Sequence, residues 1–264
     1  MVDRITPVTT EEDKAYIQSH FGIDDAWPVV CEPFIQWIIE DNFKTGRPEL
    51  EAVGVQFVED VHPYETMKIR LLNASHSAMG YLGYLAGFEY IYEIATDPSF
   101  RKMVQAFMDE EATPVVPEVK GIDLKVYKAT LIERFSNPTI KDQAARICLD
   151  GSAKMPKFVI PTIIEQLERD GDIKYGTLCV AAWFRYLSGT DESGNKIEID
   201  DPMAELLVQK AQEGGKNPRI LLGISEIFPE KLTKNQRFVN LLEEQLVSLY
   251  ENGARATLEQ VLSN

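Results

Sequence analysis

From His62 onward, apolar residues recur every three or four positions, a spacing that buries them on one side of successive helices. Pro63 sits where a first helical turn tolerates proline, and Glu65 adds an acid to that turn. Leu71, Leu72, Met79, Leu82 and Leu85 follow at helical intervals. Asp97-Pro98 opens a further helix bearing Phe100, Met103, Val104, Phe107 and Met108. The same periodicity covers residues 123–135, 140–149, 157–167, 177–187, 202–211 and 238–250, separated by loops such as 188–195. Residues 1–58 read differently. Short β-branched or apolar runs at 2–5, 27–31 and 53–58, broken by proline and acid, predict strands with turns between them. Three strands and a couple of short helices cannot close a sheet. The expected fold is therefore mainly α, with the residual end of a larger α/β domain over residues 1–58 and an all-helical domain over 59–264.

Charge narrows the function classes. Against 42 acidic residues stand 27 Lys and Arg, a formal net charge of −15. Nucleic-acid binding and docking on anionic membranes both need a basic surface, so neither is expected. Apolar stretches such as residues 35–39 are far too short to span a bilayer, and the first residues carry acid rather than the apolar core of a secretory leader. Cys31, Cys148 and Cys179 are widely spaced and odd in number, which fits reduced thiols and a cytoplasmic location.

No G-x-G-x-x-G loop, phosphate loop, Cys-x-x-Cys or His-Glu-x-x-His is present, and with three histidines in the chain no standard zinc site is expected. The densest polar cluster is Glu65 to His76. On an ideal helix Asn73 lies about 140° and His76 about 80° round from Lys68, within roughly 12 Å along the axis. An ammonium, an amide and an imidazole on one side can bind and deprotonate an alcohol. The same spacing also suits a solvated lysine, a hydrogen-bonded core histidine and an asparagine that caps a neighbouring turn.

The ten residues Met67-Lys68-Ile69-Arg70-Leu71-Leu72-Asn73-Ala74-Ser75-His76 resemble the M-K-x-x-x-L-N-x-x-H signature of the polyol-specific long-chain dehydrogenases. Asp41-Asn42-Phe43, Gly46-Arg47-Pro48, Gly54-Val55-Gln56-Phe57 and Gly121-Ile122-Asp123-Leu124 are similar to the same family, as are Glu133 to Asn137 and Asp150 to Phe158. The resemblance runs in order along essentially the whole chain and is strongest to the mannitol-oxidising branch. It implies a helical domain like that of 6-phosphogluconate dehydrogenase-like enzymes and metal-free interconversion of mannitol and fructose with NAD, NADP not being excluded. By the same resemblance Lys68 is the general base, Asn73 steadies the developing alkoxide and His76 holds the reacting oxygen. Glu65 relays protons, and Asp3, Arg146 and Lys154 bind the remaining polyol hydroxyls.

Family members are about twice this length and begin with a dinucleotide-binding domain, so the main cofactor site is expected outside these 264 residues. An asparagine that completes the family's oxyanion site would lie two positions before Met1. The expectation is thus the substrate and catalytic half of an NAD-dependent polyol dehydrogenase, acting on a small-molecule polyol or ketose. The alternatives are a truncated remnant, a polyol-binding module, a chain completed by a separate Rossmann partner, or a fructuronate or tagaturonate reductase.

Overall fold

The computed structural model describes residues 1–263. Its three strands all fall in the first 58 residues. β1 (Val2–Asp3) pairs antiparallel with β2 (Gln36–Glu40), with Val2 opposite Trp37. β2 pairs parallel with β3 (Gln56–Val58), with Ile38 opposite Gln56. Between β1 and β2 lies α1 (Glu11–Phe21), started by a capping box in which Thr10 and Asp13 satisfy each other's backbone N–H groups.

The run expected as a strand at residues 27–31 is irregular. Pro28 lies within it and withholds a ladder donor, Pro33 follows two residues after it, and Trp27 and Val29 are exposed. The strand forms instead over Gln36–Glu40, the middle strand between β1 and β3, where Ile38 is fully buried.

The helical part begins with α2 (His62–Met67), passes through a π-helical turn at Lys68–Asn73, and continues as α3 (Ala74–Leu85). Within the wide turn the Ala74 amide reaches back to the Ile69 carbonyl. The ideal 100° spacing expected for Lys68, Asn73 and His76 therefore does not apply. Such turns concentrate at functional sites. Arg70 anchors this one from inside, donating to Thr162 at 2.9 Å and Glu165 at 2.5 Å.

Next come α4 (Ile91–Thr96) and α5 (Pro98–Ala106), the latter capped by Asp97 and extended by a second π turn at Phe107–Ala112. α6 (Leu124–Phe135) follows. The helix expected over residues 140–149 shrinks to α7 (Ala144–Ile147), because the Asp142 carbonyl and the Ala144 amide bond across to residues 89–91. The expected helix at 157–167 resolves into α8 (Gly151–Phe158) and α9 (Ile160–Glu168), which meet at Val159 between Pro156 and Pro161. α10 (Lys174–Tyr186) is buried along its length. After α11 (Ala204–Gly214), α12 (Arg219–Leu222) and α13 (Glu230–Thr233) comes α14 (Gln236–Ser263), whose limbs part at Gly253 with φ 81°. α10, α3 and α14 pack together around Tyr81, Trp183, Phe184 and Phe238. The observed architecture is the helical domain with a partial sheet that the sequence predicts.

Candidate active site

A pocket of about 300 Å³ opens where β1 meets the helical layer. Asp3 reaches it from β1, Lys68 and Asn73 from the π turn, His76 from α3, Arg146 from α7 and Lys154 from α8. Six of the seven residues singled out from the sequence thus share one cavity. The seventh, Glu65, is half-buried one turn before Lys68 and lies outside the lining.

His76 is the most telling member. Its ring packs 4.5 Å from that of Phe135, and its Nε2 is buried without a hydrogen-bond partner. Burial pushes its pKa down to about 4, with Arg146 and Arg134 adding to the effect and Asp142 and Asp3 opposing it. The imidazole is therefore neutral near pH 7 and offers an unmet hydrogen-bonding atom at the cavity.

The cations are held individually. Arg146 makes two 2.6 Å hydrogen bonds to the buried Asp142 four residues earlier, so a short-range ion pair and a place in the pocket coexist. Lys154 donates to the Ile147 carbonyl at 3.1 Å, and burial lowers its pKa despite the nearby Asp150 carboxylate. Asp3 is 1% exposed, and both its oxygens accept hydrogen bonds from residues that do not line the cavity: Arg134 contacts each, and Tyr127 adds a hydroxyl donor to one.

Several lining or supporting residues escaped the sequence reading. Arg4, Thr6, Ser77 and Phe158 are among the other lining residues. Arg134, Tyr127 and Glu32 form the buried support behind Asp3. Arg134 and Phe135 lie within a stretch that carries the family resemblance, which was the one available signal. Among the described residues only Glu40, Asp60 and His62 bring three ligand-type side chains together, and none of them lines the pocket. No helix among the described residues is long and apolar enough to cross a membrane.

Comparison with known proteins matches this geometry to one family. The profile of the mannitol dehydrogenase C-terminal domain covers residues 60–250, and that of the mannitol dehydrogenase Rossmann domain covers residues 1–52. Mannitol dehydrogenase 2 of Saccharomyces cerevisiae is 51% identical over 263 residues, which are 99% of this chain and 52% of that protein. Mannitol 2-dehydrogenase of Phaeosphaeria nodorum is also 51% identical, over 98% of this chain and 46% of the relative. Among solved structures, Pseudomonas fluorescens mannitol 2-dehydrogenase in ternary complex with NAD and D-mannitol superposes with a TM-score of 0.95 at 46% identity, over 100% of this chain and 54% of that one. A D-sorbitol dehydrogenase in substrate-free form gives 0.84 at 29% identity, over 98% and 53%. The chain spans about half the length of the curated relatives it matches.

Proposed function

The chain belongs to the mannitol dehydrogenase family, and on that premise we propose that it is the substrate-binding and catalytic half of an NAD-dependent mannitol 2-dehydrogenase. Residues 1–58 would be the end of the cofactor-binding domain and residues 59–264 the helical substrate domain. The observation that carries this reading is the unpartnered Nε2 of His76 in a cavity that Lys68 and Asn73 also line.

In this reading D-mannitol lies in the pocket with its C2 hydroxyl against Lys68, Asn73 and His76. Lys68, as general base, takes the hydroxyl proton as the C2 hydride departs. The Asn73 amide and the His76 Nε2–H donate to the oxygen as negative charge builds on it, an oxyanion-hole role. Asp3, Arg146 and Lys154 hold the hydroxyls farther along the chain. Glu65, half-buried three residues before Lys68, passes the proton on to solvent. NAD, when bound, supplies the hydride acceptor.

The 264 residues contain no dinucleotide-binding glycine loop. They do leave large apolar side chains exposed in the first 58 residues: Trp27, Val29, Ile35 and Val53 are each more than half exposed, and Trp37 is 40% exposed. In this reading that exposed apolar area is a packing surface. The partner of that surface would be a Rossmann domain, in the same polypeptide or a separate one. Without it the chain would act as a polyol-binding module in the cytoplasm.

Titration calorimetry tests the proposal directly. D-mannitol should bind the chain, and D-fructose should oxidise NADH only once a Rossmann half is supplied. Tighter binding and faster turnover with fructuronate than with fructose would reassign the substrate. Absence of any polyol or ketose binding would overturn the site.

A further inference from the structure

The support behind Asp3 is built with more buried charge than packing requires. Arg134 is 7% exposed, Glu32 2% and Asp3 1%. One edge of the guanidinium donates to Asp3, through Nη1 at 3.1 Å and Nη2 at 2.7 Å. The other edge donates to Glu32, through Nε at 3.0 Å and Nη2 at 2.7 Å. Its face lies 3.9 Å from the centroid of the Phe34 ring. Every nitrogen of the side chain is thereby committed, in a doubly forked arrangement that a lysine cannot reproduce.

Glu32 also fixes the backbone that follows Asp3. Its carboxylate accepts the Ile5 amide at 2.6 Å, and its carbonyl accepts Arg4 Nε at 3.0 Å. Asp3, Arg4, Ile5 and Thr6 form one wall of the pocket, whereas neither Arg134 nor Glu32 lines it. The contact joins residues 131 and 102 positions apart, from the strand segment to α6. Buried ion clusters contribute little net stability, because desolvation offsets attraction, and well-packed apolar groups often serve as well. Their use here makes sense where geometry matters.

We propose that Arg134, braced by Glu32, is a positioning residue that sets the Asp3 carboxylate and the wall of residues 3–6 for polyol binding. The inference rests on the reading of the cavity as the polyol site. Arg134 touches no substrate and acts through Asp3.

The test compares D-mannitol affinity and melting temperature for the unaltered chain, Arg134→Lys, Glu32→Gln, Tyr127→Phe and Leu246→Ala. Leu246 is a core residue of α14, and no α14 residue lines the pocket. Arg134→Lys should weaken D-mannitol at least tenfold, and Glu32→Gln and Tyr127→Phe each severalfold. Leu246→Ala should lower the melting temperature while leaving affinity within twofold. If Arg134→Lys does not fold, Tyr127→Phe, which removes a single hydroxyl from Asp3, carries the test. Affinity within twofold of the unaltered chain in the folded variants would overturn the positioning role. Failure of the unaltered chain to bind D-mannitol would instead overturn the proposed function of the cavity. The positioning role is then read from hydrogen exchange of the Ile5 amide. Protection lost in Arg134→Lys and Glu32→Gln but kept in Leu246→Ala supports it, and protection kept in all three overturns it.

Discussion

The imidazole of His76 packs against the ring of Phe135 at 4.5 Å, and its buried Nε2 has no partner. Burial beside that ring holds the pKa at about 4, against 6.5 for the free side chain. A proton-detected titration of the His76 ring should therefore inflect near pH 4, and an inflection near 6.5 would contradict the buried, neutral imidazole. The sign of the stability effect follows. As pH falls from 6.5 to 4 the unfolded chain takes up a proton that the folded one refuses, so stability drops across that window. His76→Gln, which cannot titrate, should flatten this part of the profile.

Glu111 acts in the opposite sense. It is fully buried in the second π turn, and its carboxylate accepts the Tyr175 amide at 2.6 Å and the Gly176 amide at 2.8 Å at the start of α10. Burial pushes its pKa up to about 7, with Asp172 and Glu110 reinforcing the rise and the two amides opposing it. The folded chain thus holds the proton more tightly than the unfolded one. This stabilisation is complete below about pH 4.5 and disappears as pH rises through 7. The two slopes overlap between pH 4.5 and 6.5 and partly cancel in the unaltered chain. Urea unfolding of Glu111→Gln should therefore show stability rising from pH 4.5 to 7 more steeply than in the unaltered protein. Parallel profiles would rule out a titrating Glu111.

The ten-residue signature made Lys68, Asn73 and His76 legible as members of the candidate site, because they lie within nine positions of one another. Arg146 and Lys154 came through the resemblance alone, since an Arg four residues after Asp142 reads equally well as a surface ion pair. The π turn left no trace in residue spacing: Lys68 to Asn73 keeps a helical apolar pattern while its hydrogen bonds shift by one residue. Arg134 was illegible for another reason. Its partners lie 102 and 131 positions away, and no local pattern encodes such a pairing. The strand misplaced at 27–31 shows that β-branched composition alone does not decide, because Pro28 within it removes a donor that pairing needs.

Lys68→Ala separates base chemistry from binding. With a Rossmann half supplied, turnover of D-mannitol should fall by about 10²- to 10⁴-fold, the usual contribution of a positioned general base. The D-mannitol dissociation constant should change far less, because Asp3, Arg146 and Lys154 remain in the lining. Steady-state kinetics and calorimetry on the same preparations provide the comparison. Equal losses in turnover and affinity would make Lys68 a binding residue.

Gly151 makes the position of Lys154 depend on the core. It opens α8, three residues before Lys154, and a Cβ there would meet Trp183 Nε1 at 2.4 Å and the Tyr81 hydroxyl at 2.6 Å. Neither neighbour can give way easily: Trp183 and Tyr81 are among the largest fully buried side chains, and the Tyr81 hydroxyl donates to the Cys148 carbonyl at 3.1 Å. Gly151→Ala must push the start of α8 outward, costing about 1–3 kcal/mol, the range for overpacking a core. That displacement carries Lys154 with it, so D-mannitol affinity should weaken together with the melting temperature. Gly214→Ala is the control, since the nearest atoms its Cβ would meet belong to the Ile220 side chain, no closer than 3.2 Å, and Gly214 does not line the pocket. Unchanged melting in Gly151→Ala would mean that α8 is free to shift without cost, and would sever the link between the core and Lys154.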